Sequence, residues 1–402
     1  MMHKDVIIIG GGAAGFFAAI NIALNNSKLK ILILERGKQG LQKVKISGGG
    51  RCNVTHAEFI PIDLCSNYPR GNKELLGPFH NFMTTDTLKW FEERGVKMKT
   101  EKDGRIFPIS NNSQTIIDCF LNEVQANKIE VLYNHSVKTL EKNNESWILK
   151  TEEKKFYSNK VLVATGSSRV MWNMLQKLNH TIIEPVASLF SFNIDDKRIN
   201  SIPGITINDV EIKVLNSKIS SDGPLLITHK GLSAPSILKL SAFGALEFAS
   251  MDYKFSISIN FLKISYLDCL KKLKTFKNNL SKKRVIKFSP FGIPLRLWKE
   301  LVIYSKIEEE ISWAELNNNQ LESLSTQLTS SVFNVSGKST FKEEFVTAGG
   351  IDLKEINFKT FESKIHENLF FAGEILNIDA VTGGFNFQNA WTGAYIASQS
   401  IS

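Results

Sequence analysis

Three glycines near the N-terminus have a spacing that suits the binding of phosphate groups: Gly10-x-Gly12-x-x-Gly15. Glycine at the first position permits a tight turn from a strand into a helix. The second lets the backbone approach a pyrophosphate, and the third lets the helix pack closely on the strand. The N–H groups at the helix start and the helix dipole attract phosphate oxygens. The spacing therefore predicts a dinucleotide site that includes Ala13 and Ala14; a glycine-rich turn without a ligand is the alternative.

The elements around these glycines have the order that such a site needs. Val6–Ile9 is a short apolar run typical of a buried parallel strand, Phe16–Leu24 predicts a helix, and Lys30–Leu34 predicts a second buried strand. Glu35 follows that strand, twenty residues after Gly15, where an acid can accept hydrogen bonds from a ribose diol. Its carboxylate disfavours a 2′-phosphate, which argues against NADP here and leaves NAD or FAD.

Two later strands favour FAD over NAD. Val161–Gly166 predicts a strand that ends in a small-residue turn, and Asn368–Glu374 predicts another near the C-terminus. The carboxylate that ends this second run is placed to accept hydrogen bonds from ribityl hydroxyls. Thr382–Asn386 then leads into a helix predicted from about Phe387, whose N-terminus would stabilise an anionic reduced flavin. The alternative is a surface helix with Asn386 as its N-cap.

A glycine-rich, basic segment, Lys43–Asn53, is predicted to be a loop. Its glycines permit close backbone approach to a cofactor and Arg51 supplies a positive charge, although a flexible loop with a solvated arginine has the same composition. Cys52 lies where some flavoproteins carry a redox-active cysteine. The next cysteine, Cys65, is thirteen residues further on, which argues against a redox disulfide and favours a small buried side chain.

The composition limits the class of protein. With 402 residues, 43% of them hydrophobic, the chain is long enough for two or three globular domains. Its four separated cysteines exclude a disulfide scaffold and a zinc ribbon, and its scattered histidines predict no metal site. Asp5–Leu24 is apolar, but three consecutive glycines and Asn21 argue against a membrane span, so a cytoplasmic protein is expected.

The formal net charge of +9 favours anionic partners without choosing among nucleotides, nucleic acids and acidic lipids. The helix predicted within Lys263–Lys287 carries a run of cations that could contact nucleic acid or a membrane surface, but a solvated face is the more usual role of such charges. His229 could lie near a substrate, yet a lone histidine more often has a structural role.

These segments together resemble one family, the NAD(P)/FAD-dependent oxidoreductases of the aminoacetone-oxidase and bile-acid-dehydro-reductase type. The resemblance spans the chain and rests on DVIIIGGGAAG, KVKISGGGRCNVT, GRIFPIS, THKGLSAP, TAGGIDLKEI and ESKIHENLFFAGEILNIDAVTGGFNFQNAWTGAYIA. It implies an α/β fold, in which a Rossmann-type FAD-binding domain is interrupted by a β-rich insert domain and a helical insert domain. One departure is Val163–Ser168, where members of the family often have a second glycine after the first.

A change at about Ser188 from α/β character to period-two alternation places the domain boundaries. The FAD-binding domain is predicted to comprise residues 1–188 and 346–402, the β-rich insert residues 189–260 and 329–345, and the helical insert residues 261–328. Within these domains we expect a helix through Ala126 that Ser113 caps, and another helix over Ser233–Phe248.

The resemblance defines the cofactor better than the reaction. We predict FAD-dependent hydride transfer, with NADH or NADPH as a transient donor and an unsaturated small organic molecule as the acceptor. A tRNA-directed flavoprotein that uses the helical insert and an amine oxidase that uses oxygen are the alternatives. No residue is assigned a catalytic role, and no oligomeric state is predicted. The predicted cofactor contacts are Gly10, Gly12, Ala13, Ala14, Gly15, Glu35, Arg36, Gly49, Gly50, Arg51, Cys52, Asn53, Val137, Ala164, Thr165, Gly166, Gly373, Glu374, Gly384, Phe385, Asn386 and Phe387.

Overall fold

The computed structural model describes residues 2–143, 146–339 and 346–402. The chain divides into two compact units, the first consisting of Met1–Val186 and Val346–Ser402 and the second of Ala187–Phe345. The helices are α1 (Ala13–Asn25), α2 (Gln42–Gly50), α3 (Pro61–Cys65), α4 (Asn72–Asn81), α5 (Thr84–Glu92), α6 (Gln114–Ala126), α7 (Arg169–Lys177), α8 (Lys197–Asn200), α9 (Pro235–Phe243), α10 (Ala245–Ser250), α11 (Tyr266–Asn279), α12 (Leu295–Tyr304), α13 (Asn318–Thr329) and α14 (Phe385–Ile401). Short 3-10 helices cover Val285–Lys287, Trp313–Glu315 and Leu353–Glu355.

The strands are β1 (Met2–Ile9), β2 (Ile31–Leu34), β3 (Thr55–His56), β4 (Met98–Thr100), β5 (Arg105–Pro108), β6 (Glu130–Leu132), β7 (Thr139–Lys142), β8 (Trp147–Lys150), β9 (Lys155–Val163), β10 (Ile182–Ser188), β11 (Ser191–Asn193), β12 (Thr206–Val214), β13 (Ser220–Thr228), β14 (Gly231–Ser233), β15 (Phe255–Asn260), β16 (Ser331–Val335), β17 (Gly337–Ser339), β18 (Val346–Ile351), β19 (Ile356–Asn357), β20 (Glu362–Ser363) and β21 (Leu369–Phe371).

The first unit is organised around a sheet in which β21, β9, β1, β2 and β6 lie side by side and parallel. Ile7 pairs with Leu32 on one side and with Val161 on the other, and Val161 also pairs with Leu369. The paired apolar runs of β1, β2 and β9, which include Ile7, Leu32 and Val161, are buried because both faces of a parallel sheet are covered. Strand β9 pairs with β8 at its start and continues into the apolar strand predicted from Val161.

Helices α1 and α14 pack against each other. Beside α1, the aromatic rings of Phe17, Trp90, Phe120 and Trp391 contact one another, with the Phe17 and Trp391 ring centres 5.2 Å apart. The amide of Asn21 accepts a hydrogen bond from the Trp90 indole, at 3.1 Å. The apolar N-terminal helix is therefore buried in protein, and no helix among the described residues is long and apolar enough to cross a membrane.

Three local predictions are wrong in detail. The segment predicted as a basic loop begins as helix α2 and leaves helical geometry only at Ser47–Gly49. Ser113 has helical backbone angles, and its hydroxyl donates to the carbonyl of Lys45 at 2.8 Å instead of capping α6. The helix predicted over Ser233–Phe248 is two helices that meet at Gly244, where a Cβ would lie 2.3 Å from the Phe248 ring.

The second unit contains an antiparallel sheet in the order β16-β15-β12-β13-β14-β11-β17. Its strands alternate between buried and exposed residues, as the sequence predicted for this region. One hydrophobic core includes strand residues such as Ile257 and helical residues such as Trp298 and Leu324. The boundary between a β-rich and a helical domain within this unit stays a prediction.

A buried histidine links β20 to the segment around Glu355 in the first unit. The Nδ1 atom of His180 lies 2.8 Å from the Glu355 carboxylate, and its Nε2 atom lies 3.0 Å from the hydroxyl of Ser363. Ser363 also accepts hydrogen bonds from the backbone N–H groups of Ile365 and His366. Burial lowers the pKa of His180, although the nearby Glu355 carboxylate opposes that shift.

This lowered pKa predicts a pH dependence of stability. Because folded His180 resists protonation, the unfolded chain binds more protons once the pH falls below about 6.5. We expect the free energy of unfolding to decrease as the pH falls from about 7 to about 5. In His180→Asn, urea denaturation should show a lower stability but a flatter pH dependence over this range. An unchanged pH dependence in the variant would assign the effect to other groups.

Candidate functional site

The carboxyl ends of the parallel strands bring four predicted segments together. Gly10 ends β1, and its N–H donates to the carbonyl of Leu34 at 2.9 Å. The Ala164 N–H donates to the carbonyl of Ile9 at 2.8 Å, and the Ala372 N–H donates to the carbonyl of Val163 at 3.2 Å. In open parallel sheets, ligands bind in the crevice outside these ends, where neighbouring connections leave in opposite directions.

The three motif glycines have different structural roles. Gly10 has a φ of 110°, and a Cβ there would lie 2.5 Å from the carbonyl oxygen of Ala164. A Cβ on Gly15 would lie 2.0 Å from the carbonyl oxygen of Gly10, so glycine is required for the helix to approach the strand. Gly12, by contrast, has extended backbone angles and open space around its Cβ position, and no side chain caps α1. Open space beside uncapped N–H groups is what a bound phosphate requires.

Glu35 is held by the backbone on both sides. Its carboxylate oxygens accept hydrogen bonds from the N–H groups of Gly11, at 2.7 Å, and Gly37, at 2.6 Å. These two hydrogen bonds fix the orientation of the Glu35 carboxylate. Glu35 is one of the residues that line a cavity at the ends of β1, β2 and β9. The predicted contacts in its lining are Gly10, Glu35, Arg36, Val137 and Thr165.

Sequence reasoning missed His135 in the same cavity. The Nδ1 atom of His135 lies 2.7 Å from the carbonyl of Tyr133, which makes Nδ1 the donor and leaves Nε2 as an acceptor. Nε2 is buried and has no hydrogen-bond partner within the part of the chain that the structure describes. The backbone N–H of His135 donates to the carbonyl of Glu35 at 2.8 Å. The sequence signal that could have indicated His135 as a site residue was its position shortly after the strand β6.

Glu374 lies at the end of β21 beside the turn that follows β9. A Cβ on Gly166 would lie 3.6 Å from a Glu374 carboxylate oxygen, and a Cβ on Gly373 would lie 3.5 Å from the Cβ of Ala14. Glu374 also forms an ion pair with Lys43, a residue that was not predicted to belong to the site. The two residues are far apart in sequence, so only the tertiary fold could show this contact.

The glycine-rich segment forms the last, non-helical part of α2. Gly48, Gly49 and Gly50 all have positive φ, and the Cβ positions of Gly49 and Gly50 are open. Arg51 is not a solvated side chain: it pairs with Glu101 at 2.6 Å, and its guanidinium lies 3.9 Å from the ring centre of Phe107.

The two residues after Arg51 are buried. Burial raises the pKa of the Cys52 thiol to about 12, so the thiolate that redox or nucleophilic chemistry needs is strongly disfavoured. Cys52 is a free cysteine. The side-chain oxygen of Asn53 is buried without a hydrogen-bond partner among the described residues, and such an atom costs free energy unless a ligand or water satisfies it.

Helix α14 begins at Phe385, two residues earlier than predicted, and Gly384 is its N-cap. Gly384 has a φ of 95°, and a Cβ there would lie 2.6 Å from the carbonyl oxygen of Thr55. Asn386 is therefore not the cap; its amide bonds to the backbone of Ala380 at 3.0 and 3.3 Å. The start of α14 has no side-chain cap, so its first N–H groups can bind an anionic edge.

The aromatic residues predicted here have packing partners. The ring of Phe385 stacks on His56, with the ring centres 4.6 Å apart, and Phe387 stacks on Trp391 at 5.5 Å. One turn into α14, the amide of Asn389 is fully buried with neither polar atom bonded to a described residue. Asn389 was also missed, because a buried asparagine in a helix has no distinctive sequence pattern.

A parallel sheet with a glycine turn at one strand end, an acid at the next and two uncapped helix starts nearby defines the Rossmann class of dinucleotide-binding proteins. The chain matches the family of the HI0933-like protein Rossmann domain over residues 4–400 and belongs to that family. The expected family, fold class and oxidoreductase class are thereby confirmed.

Several relatives are similar in sequence to this chain over almost all of its length. It is 28% identical over 419 aligned positions to the ribosomal RNA dihydrouridine synthase of Haemophilus influenzae, covering 100% of this chain and 99% of that protein. The enzyme of the same name from Escherichia coli is 26% identical, with coverage of 100% and 98%. The 3-dehydro-bile acid delta(4,6)-reductase of Clostridium scindens is 24% identical, with coverage of 98% and 98%.

Among solved structures, the 3-ketosteroid-delta4-(5alpha)-dehydrogenase from Rhodococcus jostii RHA1 in complex with 4-androstene-3,17-dione has a TM-score of 0.51. It is 12% identical and covers 99% of this chain and 97% of that chain. At this identity the likeness shows a shared fold.

Proposed function

We propose that this chain binds FAD along the carboxyl edge of the parallel sheet. The observation that carries this proposal is the open space at Gly12, which directly follows the residue whose N–H binds the Glu35 carboxylate. A dinucleotide needs an adenosine pocket, a place where backbone can approach a pyrophosphate, and an extension for its second half. We assign these parts to the cavity that Glu35 and His135 line, to the open backbone at Gly12, and to the glycine segment Gly48–Gly50.

The buried polar atoms without partners fit the same ligand. The Nε2 atom of His135 is an acceptor inside the proposed adenosine pocket, where an exocyclic amino group could donate to it. The amides of Asn53 and Asn389 can both donate and accept, as the hydroxyls and carbonyls of a flavin half would require. Each of these groups is costly to bury unpaired, so a polar ligand would stabilise the folded unit.

When bound, FAD would supply hydride transfer between a nicotinamide donor and an organic acceptor. The residues of this chain would bind and orient FAD and the substrate, and they would set the electrostatic environment around them. The uncapped start of α14 at Gly384 favours negative charge on the group that faces it. Arg51, held by Glu101 and Phe107, adds fixed positive charge beside the glycine segment. Cys52 stays a protonated thiol and takes no part in electron transfer.

We propose that the acceptor is a carbon–carbon double bond conjugated with a carbonyl group, and that it belongs to a uridine of ribosomal RNA. Conversion of uridine to dihydrouridine reduces such a bond. Two full-length relatives with this activity in their names favour the RNA substrate over a free small molecule. The bile acid reductase relative favours a second candidate, a steroid-like ketone with a conjugated double bond. Either reaction would use NADH or NADPH in the cytoplasm.

The test starts with the protein reconstituted with FAD under anaerobic conditions. We expect flavin absorption bands that bleach with NADH or NADPH, and dihydrouridine in ribosomal RNA transcripts incubated with protein and donor, detected by nucleoside mass spectrometry. Transcripts of tRNA, a conjugated ketosteroid, and amines with oxygen are parallel substrates for the alternatives. Absence of flavin bands after reconstitution would overturn the FAD assignment. Reduction of the ketosteroid or tRNA without change in ribosomal RNA would overturn the substrate assignment.

A further inference from the structure

The positive charge of this protein is concentrated in one short segment of the second unit. Residues 263–287 contain nine lysines and arginines and a single acidic residue, Asp268, which gives +8 of the formal net charge of +9. The remainder of the chain is therefore close to neutral. A field confined to one part of the surface favours a particular anionic partner more than a general attraction to anions would.

Most of these cations are not used within the fold. Lys263 pairs with Asp209 at 2.9 Å, Arg284 pairs with Glu310, and Lys277 donates to the carbonyl of Leu316. The others lie exposed and form no ion pair with a residue that the structure describes: Lys271, Lys272, Lys274, Lys282, Lys283 and Lys287. We name these six lysines together with Phe288 the Lys271–Phe288 surface.

The apolar face of α11 is already covered. Cys269 and Leu273 are buried in the core of the second unit, and Leu270, Phe276 and Leu280 pack against that core. Leu267 is 72% exposed and Tyr266 is 37% exposed, but both lie in the first turn of the helix and form no stripe along it. A helix that binds a lipid surface inserts a continuous apolar stripe. Here the stripe is occupied by the protein's own core, which argues against a membrane partner.

The exposed groups between the lysines suit a single-stranded nucleic acid. Thr275, Asn278 and Asn279 are exposed beside Lys271 and Lys274, and they line one groove with them. Phe288 is 46% exposed, and the ammonium of Lys283 lies 5.3 Å from its ring centre. Lysines bind phosphates, hydroxyl and amide groups bind sugar and phosphate oxygens, and an exposed aromatic ring can stack on an unpaired base.

We propose that the Lys271–Phe288 surface binds the ribosomal RNA on which the flavin-dependent reaction acts. This inference rests on the proposed function, and it identifies the part of the chain that would bind the RNA substrate of that reaction. The surface recognises the phosphate backbone and an unpaired base in a loop. Sequence selection is not required of it, since phosphate contacts fix position and carry no base information.

The test uses the full-length protein with FAD and compares two variants of equal charge. Lys271→Gln/Lys272→Gln/Lys274→Gln removes three cations from the surface. The matched control, Lys154→Gln/Lys177→Gln/Lys359→Gln, removes three exposed lysines from the first unit that form no ion pair with described residues. Affinity for ribosomal RNA transcripts is measured by filter binding over a range of salt concentrations.

We expect the first variant to reduce the slope of log affinity against log salt by about 2, since each lost contact to single-stranded RNA contributes about 0.7. If the variant and the wild type bind RNA equally at about 1 M salt, this difference in slope makes the variant bind about 100-fold more weakly at about 0.1 M salt. The control should bind like the wild type, and both variants should keep full flavin content and bleaching by the nicotinamide donor.

Equal RNA binding by the two variants would overturn the inference and leave the proposed function standing. Wild-type protein that fails to bind the transcripts at low salt would also overturn it. Binding to vesicles of phosphatidylserine and phosphatidylcholine, lost in the first variant, with no RNA binding would assign the surface to membranes instead. Loss of flavin bleaching in every protein tested would count against the proposed function, whereas RNA binding would still report on the surface.

Discussion

Gly12→Val is expected to produce a folded protein that does not retain FAD. The backbone of Gly12 is extended, with φ −94° and ψ −168°, a conformation that valine adopts readily. Apart from its two neighbours in the chain, no residue that the structure describes has an atom within 4 Å of the Gly12 Cβ position, so the Cβ of the new side chain has room. It would instead fill the space that the proposed pyrophosphate needs.

The expected effect on cofactor binding is large. Each hydrogen bond to a charged group contributes about 1.5–3 kcal/mol, so the loss of two phosphate contacts costs about 3–6 kcal/mol. This corresponds to an FAD affinity weaker by roughly two to four orders of magnitude. Flavin absorbance of the purified protein and equilibrium dialysis against FAD measure the change, and circular dichroism checks the fold.

Two other glycines make the comparison specific. Gly77 in α4 also has open space at its Cβ position, and Gly77→Val should keep its flavin. Gly15→Ala should impair folding itself, because its Cβ would lie 2.0 Å from the carbonyl oxygen of Gly10 and both backbone segments would have to move. Purification of Gly12→Val with a full complement of FAD would show that the phosphate site has been placed incorrectly.

Asp379→Asn is expected to have the largest effect on stability. Asp379 is fully buried and forms an ion pair with Arg70, and the two residues also form an antiparallel backbone bridge. Removal of one charge from a buried ion pair typically costs about 3–5 kcal/mol. That loss is a large share of the roughly 5–15 kcal/mol by which proteins are stable.

The pair matters for the site because it fixes the segment before α14. A Cβ on Gly71 would lie 2.7 Å from the side chain of Ile378, and the Val381 N–H donates to the carbonyl of Asn67 at 3.0 Å. Without the ion pair, this segment would position the start of α14 less well. We therefore expect Asp379→Asn to release FAD more readily as well as to unfold at lower urea concentration.

An exposed ion pair provides the control for this substitution. Arg169 and Glu184 are 3.0 Å apart with both side chains largely exposed, and surface pairs contribute little to stability. Glu184→Gln should leave the urea midpoint unchanged within error. A loss of less than about 1 kcal/mol in Asp379→Asn would mean that the buried pair is not a main determinant of stability.

The dinucleotide half of the site could be predicted because its determinants are local. The strand, the turn at Gly10, the helix and the acid at Glu35 follow one another within the first thirty-five residues, and each requirement acts on neighbouring backbone. The predicted contacts Arg36, Val137 and Thr165 also line the same cavity as Glu35. Their contact with FAD stays a prediction.

The errors arose where residue type suggested one local role and the tertiary environment imposed another. Asn386 and Ser113 are good N-cap residues by type, but each bonds to a distant or preceding backbone carbonyl instead. At α14 the cap is Gly384, because the helix start approaches Thr55 too closely for any side chain. Ser233–Phe248 has helical periodicity throughout, yet the packing of the Phe248 ring ends the first helix at Gly244.

The sequence by itself determined the strand–turn–helix unit, the class of ligand and the concentration of charge in one segment. These features depend on short-range backbone geometry and on amino-acid composition. Both are properties of the sequence and do not require contacts between distant parts of the chain. Only the tertiary structure decided that Lys43 pairs with Glu374, that His135 lines the cavity beside Glu35, and which cations form no ion pair with a described residue. Such contacts depend on the order and register of parallel strands, which bring together ends that lie hundreds of residues apart.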